Sequence, residues 1–247
     1  MSGPAAAEPA AHEPADVRRV DERLVVVTVS GGLDSVTLAH SLAAEGHELV
    51  CLSFDYGQRH AKEVAFARAC AERLGADHHV VDLRSVGALL SGSALTDASV
   101  DVPEGHYTDA TMAVTVVPNR NAIMLAVAVG VATARGAPAV ATAVHAGDHA
   151  IYPDCRPAFI AAAEHEARVA NEGFLPEGFR ILAPFVEWTK VDIVRRGAEV
   201  GVPFAETWSC YVGGERHCGR CGTCVERREA FELAGVADPT DYDAVPV

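Results

Sequence analysis

The chain has 247 residues, of which 49% are hydrophobic, and this is enough to bury the core of one large α/β domain with an appendage. Its formal net charge of −14 argues against a broad nucleic-acid-binding surface, which needs lysine and arginine to neutralise phosphates. Residues 1–20 are rich in Ala, Pro and Glu without an apolar signal segment, and they predict a disordered leader. The longest apolar stretch, residues 122–134, is too short to span a bilayer. These features are typical of a cytoplasmic enzyme of small molecules.

Strands and helices are predicted to alternate along the chain. Apolar, β-branched runs predict strands at 24–29, 48–54, 79–83, 138–144 and 180–183. Helical periodicity predicts helices at 36–44, 61–74, 121–134, 157–171, 189–200 and 225–233. Residues 91–117 lack clear periodicity and are interpreted as a lid, a dimer-contact loop or plain irregular structure. The alternation predicts an α/β fold with a doubly wound, mostly parallel five-stranded sheet.

The first strand leads directly into a glycine-rich turn, Ser30-Gly31-Gly32-Leu33-Asp34-Ser35. The N–H groups in the first turn of the next helix have no intrahelical partner, and the positive end of the helix dipole lies there, so an anion is favoured. Glycines let a phosphate approach the backbone, and Ser30 and Ser35 add hydroxyl donors. The turn lacks the Lys-Ser/Thr pair of a Walker loop. An ordinary strand–turn–helix with small residues is the alternative interpretation.

Ligands of parallel sheets bind beyond the carboxyl ends of the strands, so residues 55–60 and 145–148 are expected on the same rim as this turn. Arg59 is suited to a bidentate contact with a phosphate or carboxylate. His60 is interpreted either as a site residue or as a cap of the following helix.

Two further cations are candidates for phosphate binding. Arg120 precedes an apolar helix and is predicted to face the phosphates, while Asn119 or Asn121 is an ordinary helix N-cap at the same place. Lys190 follows Thr189, a predicted N-cap, and is either a mobile charge for a polyphosphate or a solvated surface lysine.

An unusual string, Ile151-Tyr152-Pro153-Asp154-Cys155-Arg156, follows the fourth predicted strand. Tyr152 can stack on a planar base. Asp154 can accept two hydrogen bonds from an amidine edge such as that of guanine. The string therefore predicts a site for a planar, guanine-like molecule.

Four of the seven cysteines are clustered as Cys210-x7-Cys218-x2-Cys221-x2-Cys224. Thiolates at these spacings can close a tetrahedral Zn²⁺ shell, and four protein ligands leave no open position for water. The cluster predicts a structural zinc knuckle. Free thiols and a redox-active Cys-x2-Cys pair are the alternatives.

The Ser-Gly-Gly-x-Asp-Ser string resembles the PP-loop of the ATP pyrophosphatase superfamily, and we call residues 30–35 the PP-loop. The combination of strings is similar to the 7-cyano-7-deazaguanine synthase family. The remaining strings that carry this resemblance are Phe54-Asp55-Tyr56-Gly57-Gln58-Arg59-His60, Tyr152-Pro153-Asp154-Cys155-Arg156, Thr189-Lys190, and Thr207-Trp208-Ser209-Cys210-Tyr211 with the three later cysteines. The chain departs from the usual family pattern at Asn119, His145 and Ala150-Ile151, where Gly, Asn and Ser-Gly are usual, and all of these are expected near the acceptor pocket or the phosphates.

The resemblance implies an adenine nucleotide alpha hydrolase-like fold with a small C-terminal four-cysteine zinc knuckle and helix. It implies a carbon–nitrogen ligase that converts 7-carboxy-7-deazaguanine and free ammonia to 7-cyano-7-deazaguanine through acyl-adenylate and amide intermediates. ATP with Mg²⁺ is the co-substrate, and AMP and pyrophosphate are released, in queuosine or other 7-deazapurine biosynthesis. A homodimer with one structural Zn²⁺ per chain is implied, with no nucleic-acid or membrane partner.

The motifs and the resemblance together predict residue roles. The predicted catalytic residues are Ser30, Asp34, Ser35, Arg120 and Lys190. The predicted ATP-binding residues are Val29, Ser30, Gly31, Gly32, Leu33, Asp34, Ser35, Phe54, Tyr56, Gln58, Arg59 and His60. The predicted substrate-binding residues are His145, Asp148, Tyr152, Asp154 and Arg156, and the predicted zinc ligands are Cys210, Cys218, Cys221 and Cys224.

These roles divide the chain into the leader (1–20), a nucleotide-binding α/β domain (21–205) and a zinc-binding C-terminal segment (206–247). Three other functions are compatible with parts of the sequence. An adenylating enzyme could act on a different carboxylate. A tRNA-modifying PP-loop enzyme such as a thiolase is disfavoured by the acidic charge. A non-enzymatic binding module built on the zinc knuckle would have no need of the PP-loop.

Overall fold

Five parallel strands form the centre of the computed structural model, which describes residues 23–243; the predicted leader at 1–20 lies outside the described residues. The strands are β1 (Leu24–Thr28), β2 (Glu48–Asp55), β3 (Asp77–Asp82), β4 (Ala139–Ala141) and β5 (Arg180–Leu182). Their spatial order is β3-β2-β1-β4-β5, and each pairing is parallel. The predicted α/β sheet is confirmed, and it is parallel throughout.

Helices connect the strands and follow the last one. They are α1 (Leu33–Ala44), α2 (Glu63–Leu74), α3 (Arg84–Gly87), α4 (Asp109–Ala113), α5 (Arg120–Arg135), α6 (Pro157–Ala170), α7 (Lys190–Glu199) and α8 (Gly222–Ala234). The predicted start of α7 is confirmed, because the Thr189 side chain accepts from the Asp192 N–H and the Asp192 carboxylate accepts from the Thr189 N–H. None of the helices within residues 23–243 has the length and apolar character needed to cross a membrane.

The side chains of β1 alternate between two hydrophobic layers, as those of a strand covered on both faces must. Val25 and Val27 pack with residues of α1, α2, α7 and α8. Val26 packs on the opposite face with residues of α5 and α6. The predicted doubly wound arrangement is therefore confirmed.

The order of the strands reverses between β1 and β4, because β2 and β3 extend the sheet on one side and β4 and β5 extend it on the other. Connections that diverge to opposite faces leave a crevice at this point, beyond the carboxyl ends of the strands. The PP-loop follows β1 directly and therefore borders the crevice.

The C-terminal segment is anchored in the main core. The ring of Phe231, on α8, meets that of Phe204 edge to face at 4.8 Å between centroids. The fully buried Arg227 donates to the Phe204 carbonyl at 2.9 Å and to the hydroxyls of Thr207 and Ser209 at 2.8 and 3.1 Å. Arg227 thereby holds residues 204–209 against α8, and the division of the chain at residue 205 stays a prediction.

Candidate active site

A cleft with two adjoining lobes opens at the carboxyl edge of the sheet. The first lobe, about 950 Å³ including space open to solvent, lies over the ends of β1, β2 and β4. The second lobe, about 680 Å³ on the same basis, lies between the start of α1 and the C-terminal segment. The two lobes share the lining residues Ser30, Asp34, Glu63, Asp148 and Tyr211, which we call the junction.

The PP-loop presents the uncapped start of α1 to the second lobe. Gly32 is the N-cap and no side chain caps the helix, so the first-turn N–H groups are available to an anion. The hydroxyls of Ser30 and Ser35 lie 3.1 Å apart, and that of Ser35 also accepts from the Ser30 N–H at 3.1 Å. These bonds preorganise the turn that the sequence predicts for phosphate.

Gly31 has a backbone conformation that requires glycine. Its φ is +91°, and a Cβ at this position would lie 2.2 Å from the Glu63 carbonyl oxygen. The Gly31 carbonyl accepts from the Trp208 N–H at 2.9 Å. The turn is therefore wedged between the first turn of α2 and the segment that precedes the cysteine cluster.

Lys190 forms the central ion pair of the second lobe. Its Nζ lies 2.7 Å from Oδ2 of Asp34 and 3.4 Å from Oε2 of Glu226. Burial favours the neutral amine, but these carboxylates outweigh it and raise the pKa of Lys190. With 14% of its side chain exposed, Lys190 is not the solvated surface lysine of the alternative interpretation.

Asp34 stays ionised and has one unused oxygen. Burial favours its protonated form, but the charge of Lys190 and the hydrogen bond from it outweigh burial and hold the pKa of Asp34 below its usual value. Its Oδ1 is buried and has no hydrogen-bond partner within the described residues. A buried carboxylate oxygen without a donor fits a ligand of a hard cation such as Mg²⁺.

His145 lines the second lobe beside two carboxylates. Its Nε2 lies 3.9 Å from Oδ2 of Asp34 and 3.6 Å from Oδ2 of Asp148. Its Nδ1 accepts from the Gly147 N–H at 3.1 Å, which places the ring proton on Nε2, facing the carboxylates. Of the departures from the family pattern at 145, 150 and 151, only this one lines a lobe.

In the first lobe, an arginine and a histidine lie close to aromatic rings. Arg120 donates to the hydroxyl of Tyr56 at 3.4 Å. The ring of His60 lies 5.1 Å from that of Tyr211, and burial together with the charge of Arg120 lowers the pKa of His60 to about 3. His60 does not cap α2, whose N-cap is Lys62, so the interpretation as a cleft residue is the one that the structure favours.

Glu63, in the first turn of α2, lines both lobes. Its Oε1 accepts from Nε2 of Gln58 at 3.1 Å and lies 3.6 Å from Nε2 of His60. Burial raises the pKa of Glu63 to about 8, and the hydrogen bond from Gln58 and the charge of Arg120 offset this only in part.

At position 119, where the family usually has glycine, the chain has an asparagine that adopts a left-handed backbone conformation. It is the N-cap of α5 with a φ of +58°, and its side chain makes no capping hydrogen bond. Asparagine is among the non-glycine residues that adopt the left-handed region most readily. The cap is provided instead by Asp154, whose carboxylate accepts from the Asn121 N–H at 3.1 Å.

We expect Asn119→Val to lower the free energy of unfolding by about 1–2 kcal/mol, because a β-branched residue is strained at this φ. Asn119→Gly, the matched variant, is expected to change it by less than about 0.5 kcal/mol. Urea denaturation of both variants measures the difference. Equal stability of the two would contradict the left-handed conformation.

Besides Gly31, two predicted ATP-binding residues, Gln58 and Arg59, line neither lobe. Arg59 donates through Nη2 to the carbonyls of Asp97 and Val100 at 2.8 and 2.7 Å. Gln58 donates to the Phe54 carbonyl and to Glu63. Their observed bonds stabilise the loop after β2, and a direct contact with phosphate stays a prediction that this geometry does not favour.

Part of the predicted substrate site also lies outside the two lobes. Arg156 donates to the carbonyls of His149 and Ala150 at 2.7 and 3.2 Å, and Asp154 caps α5 as described. Neither these two residues nor Ala150 and Ile151 line a lobe. Tyr152 does line the second lobe, and its hydroxyl lies 2.5 Å from that of Thr115.

Among the cleft residues with no role in the sequence-based prediction are Glu63, Tyr107, Tyr211 and Glu226. Tyr107 lies in the aperiodic region, whereas Glu63 and Glu226 lie on helices where an acidic residue reads as a solvated surface position. Tyr211 belongs to one of the strings that carry the family resemblance, but nothing local to it indicates a role. Only the packing of distant segments reveals the four positions.

The four clustered cysteines converge on one buried point. Their Sγ atoms all lie within 4.8 Å of one another, with Cys218–Cys224 at 3.9 Å and Cys221–Cys210 at 4.0 Å. Ligands at about 2.3 Å from a tetrahedral zinc would lie about 3.8 Å apart. The Cys218 sulfur also accepts from the N–H groups of Arg220 and Cys221 at 3.4 and 3.2 Å, which favours a thiolate. The cluster can hold a metal ion.

The cysteine cluster connects directly to the second lobe. Glu104 pairs with Cys221 in an antiparallel bridge, and the Gly105 N–H donates to the Arg220 carbonyl at 2.8 Å. The ring of Tyr107 packs so closely on Gly222 that a Cβ there would lie 2.4 Å from it. The cluster therefore positions Tyr107 in the wall of the lobe, within the region interpreted as a lid, a dimer-contact loop or irregular structure.

The parallel sheet, the glycine-rich turn and uncapped helix start at its switch point, and the appended four-cysteine cluster define a doubly wound α/β protein with a candidate anion site and a candidate metal site. Residues 24–235 match the family model described as "Queuosine biosynthesis protein QueC". The chain belongs to this QueC family.

The chain is similar to named relatives of this family and, more distantly, to a solved structure. It is 64% identical to the 7-cyano-7-deazaguanine synthase of Rhizobium meliloti (strain 1021) over 218 residues, covering 88% of this chain and 91% of the relative. It is 64% identical to that of Brucella ovis over 219 residues, covering 88% and 93%. The NMN synthetase of Francisella tularensis has a TM-score of 0.49 at 14% identity, covering 88% of this chain and 79% of that one, which is too distant to carry an argument.

Proposed function

We propose that this chain is an ATP-dependent carbon–nitrogen ligase that converts 7-carboxy-7-deazaguanine and ammonia to 7-cyano-7-deazaguanine. The observation that carries the proposal is the 64% identity, over 88% of the chain, to relatives named for that synthesis. The matched family region includes both lobes and the cysteine cluster.

The reaction needs two activations, because a carboxylate oxygen is a poor leaving group and AMP is a good one. An oxygen of the 7-carboxylate attacks the α-phosphorus of ATP, the bond to pyrophosphate breaks, and an acyl-adenylate forms. Ammonia attacks the acyl carbon, loses a proton and displaces AMP to give the amide. The amide oxygen then attacks the α-phosphorus of a second ATP and displaces pyrophosphate, and loss of AMP and of both nitrogen-bound protons leaves the nitrile.

The second lobe is assigned to the pyrophosphate. The first-turn N–H groups of α1 and the hydroxyls of Ser30 and Ser35 are preorganised to receive the charge that develops on the leaving group. Lys190 adds a fixed positive charge, oriented by Asp34 at 2.7 Å. Mg²⁺, held by Asp34 and Asp148, would neutralise the phosphates.

The first lobe is assigned to the adenosine, between the ends of β1 and β2 and the side of α5, where apolar side chains form part of the wall. The wall residues that support this assignment are Val29, Phe54, Met124 and Val144. The α-phosphate then lies at the junction, and the acceptor must reach it there. Arg120 supplies the cation for the 7-carboxylate or the α-phosphate, and Tyr152 and Tyr211 supply flat surfaces for the heterocycle.

The proposal extends to the cofactor, assembly and location. The cysteine cluster holds one structural Zn²⁺, since four thiolates leave no site for a reacting water. The net charge of −14 supports small molecules rather than nucleic acid as substrates. A homodimer in the cytoplasm is proposed from the family resemblance alone.

The decisive experiment is mass analysis of the chain incubated with 7-carboxy-7-deazaguanine, ATP, Mg²⁺ and ammonia, following the acid, the amide and the nitrile together. We expect the nitrile to accumulate with two AMP released per product. Absence of AMP would overturn the proposed acceptor, and AMP release that ends at the amide would overturn the proposed product.

We expect Gly31→Ala to weaken the binding of ATP by on the order of 100-fold, because a Cβ at +91° would collide with α2 and shift the PP-loop. Gly46→Ala is the matched control, since Gly46 has a φ of +89° and no atom within 4 Å of an added Cβ. Isothermal titration with a non-hydrolysable ATP analogue compares the variants. Equal affinities would show that the close contact with Glu63 is irrelevant to nucleotide binding.

A further inference from the structure

We propose that Glu63 recognises the amidine edge of the acceptor, accepting hydrogen bonds from the ring N–H and the exocyclic amine of the 7-deazaguanine. This inference rests on the function proposed above. It replaces Asp154, to which the sequence pattern assigned that contact, because Asp154 caps α5 and lines neither lobe.

Glu63 lies next to the place where the acceptor must bind. It lines both lobes and belongs to the junction, where the α-phosphate must lie if adenosine fills one lobe and pyrophosphate the other. An acceptor whose carboxylate attacks that phosphorus has to occupy space next to the junction. Tyr211, another junction residue, lies against His60 and offers a flat surface there.

The other acidic residues of the lobes have partners or roles that Glu63 lacks. Within the described part of the chain, the acidic residues that line the lobes are Asp34, Glu63, Asp148 and Glu226. Asp34 and Glu226 pair with Lys190, whereas Asp148 lies 3.6 Å from Nε2 of His145 and is assigned with Asp34 to Mg²⁺. Glu63 forms no ion pair with a charged side chain, since His60, whose Nε2 lies 3.6 Å from Oε1, stays neutral, and the charge of Arg120 offsets the effect of burial only in part. It is therefore the acidic residue of the lobes that is left to accept hydrogen bonds from a ligand.

The carboxyl of Glu63 has an oxygen that is free to accept hydrogen bonds from a ligand. Oε1 accepts from Gln58, whereas Oε2 has no hydrogen-bond partner among the described residues. A carboxylate with open lone pairs suits two parallel N–H donors, which is the pattern of a guanine-type edge. Lys62, the neighbouring cation, is turned away and donates to the carbonyls of Gly214 and Glu215.

The inference predicts how acceptor binding depends on pH. Burial raises the pKa of Glu63 to about 8, so the free enzyme holds it largely protonated at neutral pH. The groups that face it are His60, Arg120 and Tyr56, and between pH 6.5 and 9 none of these changes charge, because the pKa of His60 is lowered to about 3 and that of Tyr56 is raised. Two donors favour the carboxylate, so the KM of the acceptor should fall as pH rises toward 8.

The experiment compares Glu63→Gln with Glu72→Gln, which makes the same change at an exposed position of α2. The natural acceptor and an analogue lacking the exocyclic amine are each assayed by AMP release. For Glu63→Gln we expect the KM of the natural acceptor to rise roughly 100-fold, with the KM of ATP changed less than about threefold. The wild type should discriminate against the analogue, and Glu63→Gln should not. The pH dependence of the acceptor KM should disappear with it.

The outcomes separate this inference from the proposed function. No AMP release by the wild type with the natural acceptor would mean that the proposed function is wrong. Wild-type turnover with unchanged discrimination in Glu63→Gln, or a rise in the KM of ATP instead, would overturn the role of Glu63. Should Glu63→Gln fail to fold, as judged by circular dichroism, Glu63→Asp keeps the carboxylate. It must then retain the discrimination and the pH dependence, and loss of both would overturn the inference.

Discussion

Replacement of Lys190 by methionine is expected to lower kcat/KM for AMP release by about 10³-fold, an effect similar to the loss of one preorganised donor to a developing anion. Lys190 lies 2.7 Å from Asp34 and 3.4 Å from Glu226, beside the start of α1 where the pyrophosphate is assigned. Methionine keeps most of the volume of the side chain and removes its charge. Initial rates at saturating acceptor measure the change.

Arg195→Met is the matched control, because Arg195 is an exposed cation on the same helix. It should leave kcat/KM within about twofold of the wild type.

The stabilities of Lys190→Met and Arg195→Met should also differ at acid pH. The lowered pKa of Asp34 means that its stabilising pairing is complete above its ordinary pKa and is lost as pH falls through the lowered value. Lys190→Met should lack this acid-dependent loss of stability, and an unchanged profile would contradict the pairing.

Replacement of Cys224 by alanine is expected to abolish stoichiometric metal binding and to lower the Tm by roughly 10–20 °C, corresponding to about 5 kcal/mol for a chain of this size. Cys224 is one of four sulfurs within 4.8 Å of one another, and it lies at the start of α8. Loss of the cluster also releases residues 104–107 from Cys221 and Arg220, so Tyr107 should leave the wall of the second lobe. Metal analysis and calorimetry test both expectations.

Cys70→Ala provides the comparison, since Cys70 is a buried cysteine on α2 outside the cluster. We expect it to keep a full complement of metal and to lose only about 1 kcal/mol of stability through the smaller side chain. Similar metal content in the two variants would mean that the cluster is not the metal site.

Most of the strands and helices could be predicted from residues that are close together in the sequence. The strand, glycine turn and helix around the PP-loop, and the Thr189–Asp192 cap of α7, depend on residues close in sequence, and the structure contains both. The end of the fourth strand was not predicted correctly from local sequence. It was expected to reach Val144, but it stops at Ala141, and residues 142–144 leave the sheet to line the first lobe.

The site was less accessible to sequence reasoning, because the same residue types serve binding and loop stabilisation. Arg59 and Arg156 were expected in the cleft, and both instead donate to carbonyls of loops that fold back on them. No local pattern distinguishes a guanidinium that meets a ligand from one that meets a carbonyl. Glu63 was missed for the converse reason, since its burial depends on the PP-loop packed against the first turn of α2.

The hydrogen bond from the Trp208 N–H to the Gly31 carbonyl joins two regions that are synthesised far apart in time. By the time β5 has been made, a nascent chain has all five strands and the PP-loop, but it still lacks Lys190, Tyr211 and Glu226. These contacts between distant residues close late, as contacts of high sequence separation do. The growing chain therefore has a phosphate-binding turn long before it has a cleft in which ATP can be cleaved.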